Sequence, residues 1–432
     1  MAIDYTDLTS IQDTLKYVYG DGIRNQFSEE AILYNLLPKS DKKPGGLGYQ
    51  FGISYADPQG VGSRIESGIM PDPLVGKFDK ALVLPKYTYG ALRLTGPALE
   101  AGKGNVGAFV DAQTANVEGL YRSIVWNMNR AAWGDGFGKL GTLSATSDTL
   151  SVGATWTATF NNDLGVRWFR PGQIIDFYEG ANIDQSSVAS RVSSINAITK
   201  VVTFEANDGT YKANHPLVAA RGYTIVAATV ASAAVAVPVG ARGASFATSD
   251  TPIEMTGFAG IFDDGTLLAS FQDITVATNP MWKANILSNS SVERELSLDL
   301  LIQAVDQARI TSGVKPTVMY LGLAQRRKYA NLLLGDVRYQ PGVLKGGFET
   351  LSFSADGTID MIIDPIAPPN QIFITTKDAI QKFELKPLGW LDYDQAMHMR
   401  SGYDEWDMIL AIYANLGVEK RNVCTLLSDL AE

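Results

Sequence analysis

The chain has 432 residues, 46% of them hydrophobic, enough to bury a substantial core in two to four compact units at roughly 100–200 residues each. Its 46 acidic residues outnumber 36 basic ones for a formal charge of −10, against the basic excess that tight phosphate binding requires. One cysteine, Cys424, rules out an intrachain disulfide, and with only two histidines, His215 and His398, a Cys/His zinc site is not expected.

Residues 1–10 (MAIDYTDLTS) are acidic where a signal peptide is basic, so the chain is expected to stay in the cytosol that makes it. Ile11, Leu15 and Tyr19 recur at helical spacing and FSEEAILYNLL (27–37) precedes Pro38, which predicts an arm over 1–45 with one or two short helices. Residues 46–96 change to strand-like runs, YQFGISY (49–55) and ALVLPKYTYGALRL (81–94), around a Gly- and Pro-rich stretch at 57–80. The expected result is an extended hairpin whose tip has few apolar groups to pack locally and needs a partner to order it.

The strongest periodic signal covers 105–133. Val106, Phe109, Val110, Val117, Leu120, Tyr121, Ile124, Val125, Met128, Ala131 and Ala132 share one face of a helix about 40 Å long, ended by GDGFG (134–138). Residues 144–242 predict a separate small β barrel, with strands at 173–178, 188–195 and 201–205 and turns at Asn207-Asp208-Gly209 and Arg221-Gly222. Within it AATVASAAVAVPV (227–239) is too short to span a bilayer and holds a proline, so a buried strand pair or linker is expected there and no membrane contact.

The remainder alternates helix and strand. A helix over 297–310 turns Leu298, Leu301, Ile302, Val305 and Ala308 inward and stops at Gly313; a strand at 316–321 and a helix at 324–334 follow. Strands are expected at 359–364, 371–375, 380–385 and 408–418. The class is α+β, with no regular βαβ alternation and no repeat period.

Motifs that could carry chemistry resolve into structure. In GDGFGKLGT (134–142), Leu140 stands where a phosphate loop needs Ser or Thr, and the segment follows a helix where that loop would open one. Neither Asp263-Asp264 nor Asp404, Glu405 and Asp407 has calcium-loop spacing, and Asp263-Asp264-Gly265 reads as a turn. No Gly-x-Ser-x-Gly elbow is present, and neither histidine has a triad context. Cys424 reads as a small buried hydrophobe, and Phe109, Tyr121, Trp126 and Trp133 as packing residues. No catalytic, cofactor or metal site is expected, and the chain is read as not an enzyme.

The order of arm, hairpin, long helix with WGDGFGKLGT after it, LDLLIQAVDQARITSGVKPTVMYLGLAQRRKYANLL (298–333) and DPIAPPNQIFITTKDAIQKFEL (364–385) resembles the tailed-phage major capsid proteins of the Hong Kong 97-type fold. The likeness is one of arrangement over nearly the whole chain. It implies an N-terminal arm (1–45), an extended hairpin loop (46–96), a spine helix with peripheral domain (97–143), a mainly axial domain (243–370), and peripheral return strands with a C-terminal axial strand (371–432). The β unit at 144–242 is absent from the simplest members and similar to insertion domains of others.

The function implied is self-assembly, through hexamers and pentamers, into an icosahedral virion shell around double-stranded DNA, built in the bacterial cytoplasm. Implied partners are further copies of the chain, a separate scaffolding protein, a portal, a decoration protein and weakly contacted packaged DNA. Arg64, Glu66, Lys77, Asp79 and Lys80 are the expected inter-subunit contact residues. The competing readings are an encapsulin-like bacterial compartment, a tail component, and a hydrolase built on scattered carboxylates such as Asp364 and Asp404.

Overall fold

The computed structural model describes residues 31–42, 48–97, 106–147, 154–161, 164–179, 182–183, 190–205, 230, 232–239, 252–334, 352–354, 358–391, 398–399 and 402–432. The helical spacing at Ile11 to Tyr19, the turns at 207–209 and 221–222, His215, and the side chains of Val106, Phe109 and Val110 lie outside the described residues.

Helix α1 (Ile32–Leu36) is followed by strands β1 (Tyr49–Ala56) and β2 (Lys77–Val83), which pair antiparallel from Tyr49↔Val83 to Ala56↔Lys77. The sequence predicts one hairpin strand over 81–94, and here the fold differs. The chain breaks at Leu84-Pro85, and β3 (Lys86–Thr95) leaves the hairpin to pair with β20 (Glu405–Val418) from Ala414↔Lys86 to Glu405↔Thr95. Proline has no N–H to donate to a ladder, which favours the break at position 85.

Helix α2 (Val106–Trp133) is the long helix expected, and it lies across β3. Gly90 of β3 makes this approach possible, since a Cβ there would stand 2.5 Å from Ile124 Cδ1 and 2.9 Å from Leu120 Cδ1. Along β3 exposure alternates residue by residue, one face on the helix and the other toward solvent. Strand β18 (Ile380–Trp390) flanks β20 on its other side, and β19 (His398–Met399) continues that edge.

After α2 come β4 (Gly141–Thr142), β5 (Trp156–Thr159), β6 (Ile174–Glu179), β7 (Asn182–Ile183), β8 (Ser190–Asn196), β9 (Val201–Phe204) and β10 (Val235–Pro238). Their order is β4-β10-β6-β8-β9-β5, with β7 on β6. Leu143, just past β4, bridges Phe160, just past β5, and Ser144 N–H donates to Thr159 O at 2.9 Å, so the hydrogen bonding returns to the first strand. Inside, Trp156 stacks on Phe204 at 4.2 Å and leans on Phe177 at 5.6 Å, among Ile175, Val192 and Val202. This core is continuous with Trp133 and Phe258 outside the unit. Trp168 Nε1 also donates to Ile366 O at 2.8 Å, and the Glu432 carboxylate meets Arg167 at 3.1 Å and Lys200 at 3.3 Å.

Beyond α3 (Phe258–Ile261) and a small hairpin of β11 (Ser270–Phe271) and β12 (Ile274–Thr275) lies a mixed sheet of β13 (Asn285–Leu287), β14 (Val318–Leu321), β15 (Ser352–Ser354), β16 (Thr358–Ile363), β17 (Ile372–Thr375) and β21 (Thr425–Leu427). Its order is β13-β21-β17-β14-β16-β15. Both faces of its middle are buried: Met319, Leu321, Ile372 and Ile374 join one core with α4 (Leu298–Ser312) and α5 (Leu323–Leu334), while Val318, Tyr320 and Phe373 join Trp133 and Phe258 in the other. The unbroken apolar runs VMYL and IFIT follow from that double burial.

Helix α4 has the predicted ends. Ser297 Oγ accepts from Leu300 N at 3.2 Å, and Gly313 closes the helix at φ 67°. Its inward stripe is Leu301, Ala304, Val305 and Ala308, with Leu298 partly buried; Ile302, expected inward, is exposed. A helix lying on a flat sheet buries a narrow stripe, and Ile302 sits about 100° round from Leu301.

Candidate functional site

The segment between β1 and β2 contains no strand or helix, and it presents Val61, Ile65, Ile69, Met70, Leu74 and Val75 to solvent, with Phe78 at the start of β2. Val61 and Ile69 are each 88% exposed. The composition suggested few apolar groups here; the structure shows several large ones, none with a local core. Its internal order rests on Gly68 N–H to Ile65 O at 2.9 Å and on Arg64, whose Nε donates to Ile69 O at 2.9 Å and whose Nη1 donates to Ser63 O at 3.0 Å. A fully buried Val, Leu, Ile, Met or Phe contributes about 1.5–3 kcal/mol, so this loop presents a sizeable unused driving force for association.

The five expected contact residues divide. Arg64, Glu66, Lys77 and Lys80 are exposed on the tip and on β2, with Arg64 folded onto tip carbonyls. Asp79 sits on β2 opposite Ile53, half-buried, its carboxylate accepting from Asn279 Nδ2 and from Lys80 N–H at 2.8 Å.

Strand β2 is bonded through Asp79 and Leu82 to the segment 263–282, which is anchored by Arg421. Fully buried, Arg421 donates to Ile261 O at 2.9 Å, Gly260 O at 3.0 Å and Trp282 O at 3.2 Å, and its guanidinium lies 4.5 Å from the Phe271 ring centre. Burial lowers its pKa to about 10, still well above neutrality, so it stays charged. Asp263, 3.8 Å away, accepts from the N–H groups of Gly265, Leu267 and Leu268. Asp263-Asp264-Gly265 is therefore the turn expected, with Gly265 at φ 102°.

A second buried node ties the arm to the body. Asp364, 1% exposed, accepts from Trp133 Nε1 at 3.0 Å, Asn129 Nδ2 at 3.2 Å, Leu33 N–H at 3.3 Å and Ile366 N–H at 3.0 Å, while Asn129 Oδ1 accepts from Tyr34 N–H at 2.9 Å. One carboxylate thus joins α1, the end of α2 and the loop after β16. We expect Asp364→Ala to cost about 3 kcal/mol by orphaning these donors, read as a lower urea midpoint at unchanged slope.

The remaining chemistry candidates are occupied structurally. Asp364 serves as this acceptor, and Asp404 lies in the turn before β20, where its carbonyl accepts from Gly96 N–H at 2.8 Å. In GDGFG, Asp135 Oδ1 accepts from Phe137 N–H at 2.8 Å, and Gly136 and Gly138 take φ of 87° and 74°, a helix stop. His398 lies in β19 opposite Asp407. Cys424 is fully buried and its thiol pKa is pushed up to about 11 by burial. Trp126 and Trp133 are buried as expected, but Tyr121 is exposed, because among the described side chains of α2 only those of the last two turns are covered on all sides. Among the described residues no three His, Cys, Asp or Glu side chains gather as a metal site would need, and no helix is long and apolar enough to cross a membrane.

No protein-family model matches the chain, and no curated protein does. Solved structures do. The capsid asymmetric unit of cyanophage A-1(L) superposes with a TM-score of 0.59 at 10% identity, over 97% of this chain and 98% of that one. The capsid of a native GTA particle superposes with a TM-score of 0.53 at 8% identity, over 100% of both chains. The holo-SrpI encapsulin of Synechococcus elongatus PCC 7942 gives a TM-score of 0.44 at 6% identity, over 99% and 96%. The fold of the described residues is that of phage capsid proteins.

Proposed function

We propose that this chain is the major capsid protein of a tailed phage, a structural subunit that assembles with copies of itself into a closed shell around double-stranded DNA. The observation that carries this is the projecting hairpin with its exposed apolar tip, Val61 to Val75, on a chain that shares a capsid fold over its whole length. A surface of this kind is costly in a monomer and useful where each copy covers its neighbour. Many modest contacts acting together then close the shell by effective concentration.

On this reading the finer parts take roles. Helix α2 with the β3-β20-β18 sheet forms the peripheral domain, and the mixed sheet with α4 and α5 forms the axial domain. The closed β unit from β4 to β10 is the inserted domain, held against the body by Trp168 and Glu432. Arg64, Glu66, Lys77 and Lys80 contact the neighbour, and hexamers and pentamers form with help from a separate scaffolding protein, a portal and a decoration protein. The charge of −10 suits a container whose DNA enters and leaves. The assembly site is the host cytoplasm and the final location the virion.

The test is expression of the chain with and without its phage's neighbouring structural proteins, followed by negative-stain imaging and recovery of particle contents. Closed shells that package DNA are expected. Particles filled with a protein cargo would make it an encapsulin-like compartment, and tubes or rings would make it a tail component.

A further inference from the structure

Resting on that assembly reading, we infer that a latch between Asp79 and Asn279, seated on the β11-β12 turn, sets the angle at which the hairpin presents its apolar tip. The hairpin's inner end is packed on the body, where Ala81 and Val83 are buried and Tyr49 stacks on Phe383 at 5.1 Å, and its outer end could still swing about that seat. Two hydrogen bonds to β2, and two more that tie their platform to the body, oppose this.

Asn279 is buried, and its Nδ2 donates to the Asp79 carboxylate on β2. Three residues further along the strand, Leu82 N–H donates to Gln272 O at 2.9 Å. The Gln272 amide, in the orientation that satisfies both its ends, donates to Val418 O at 2.9 Å and accepts from Val418 N–H at 3.0 Å. The turn residue therefore bridges the hairpin's β2 and the end of β20 in the body.

The backbone of that turn is an independent sign. Gln272 and Asp273, the two residues between β11 and β12, take φ of 52° and 65°. Such a turn ordinarily uses Asn-Gly, and non-glycine residues held there cost about 1 kcal/mol or more each. A glycine in either place would relieve the strain; Gln272 instead supplies a side chain that reaches Val418, which glycine could not. Below the turn, Phe271 and Trp282 stack at 6.4 Å, Trp282 Nε1 donates to Phe271 O at 3.0 Å, and both lean on buried Arg421. These contacts tie the platform to buried Arg421, so its bonds to Asp79 and Leu82 set the hairpin's direction. Asp79 is thus a positioning residue and not a direct contact to a neighbour.

The test reads hairpin angle apart from assembly. Spin labels at Ser63→Cys on the tip and Ser291→Cys on the body of the full chain, kept below its assembly concentration, report a tip-to-body distance distribution. We expect a narrow distribution for the parent chain and roughly a twofold broader one for Asn279→Ala. The exchange variant carrying Asp79→Asn with Asn279→Asp restores the hydrogen bond in reverse and should restore the narrow distribution. An equally narrow distribution in Asn279→Ala, or no recovery in the exchange variant, overturns the latch. Images of the same variants separate the two ideas: failure of the parent chain to form shells defeats the assembly reading while leaving the distance result to decide the latch.

Discussion

A chain lacking residues 61–75 is expected to stay a soluble, folded monomer and to form no closed shell. The segment removed contains no regular element and contributes no buried residue to either hydrophobic core, and β2 begins only at Lys77, so the β1-β2 pairing survives. Shortening an exposed loop changes stability by well under about 1 kcal/mol. Burial of even half of the exposed apolar side chains in 61–75 would contribute roughly 4.5–9 kcal/mol per copy before association costs, and that is the quantity the deletion removes. Thermal unfolding of the deleted chain should match the parent, while sedimentation and imaging should show monomers or small oligomers. Normal shells would show that the tip is not an assembly element.

The largest expected loss of stability is at Gly257→Ala. Gly257 precedes α3, and a Cβ there would lie inside the contact radius of the Ala131 and Ala132 carbonyl oxygens and 2.5 Å from the Ala132 carbonyl carbon. These are backbone atoms at the end of α2, which no rotamer change can move. They lie beside Trp133 and Phe258, packed edge to face at 5.3 Å where the two cores approach each other. We expect a cost above about 4 kcal/mol and loss of the protein to the insoluble fraction. Gly119→Ala is the matched control: it lies in the interior of the same helix α2 with nothing within 4 Å of the added carbon, so it should raise the unfolding free energy by about 0.5–1 kcal/mol, read as a higher denaturant midpoint. A soluble Gly257→Ala with unchanged unfolding would mean that α2 and α3 do not meet as described.

Local sequence was enough wherever the signal was periodic or capped. The span of α2, the Ser297 and Gly313 ends of α4, and the strands at 201–204 and 372–375 follow from spacing and turn chemistry acting within a few residues. The turn at Asp263 and the helix stop at Gly136 and Gly138 were legible for the same reason. What spacing could not show was which faces meet. The last two turns of α2 are buried all round, taking in Asn129 and Arg130, because the arm, the mixed sheet and α3 converge there. Tyr121 and Ile302 match the apolar pattern yet lie exposed.

For the hairpin the division is sharpest. Its two strands and its lack of a local core could be read from YQFGISY and the Gly- and Pro-rich stretch after it, and the exposure of Arg64, Glu66, Lys77 and Lys80 follows from their charge in such a stretch. The parting of β3 from β2, the capture of Asp79 by Asn279, and the joining of α1 to the body through Asp364 were decided by tertiary structure. Each depends on a partner about 200 to 330 residues away, and a hydrogen bond or strand pairing across that distance leaves no local pattern. The sequence by itself therefore determined the elements and the surplus of uncovered surface. The fold determined the direction in which that surface faces.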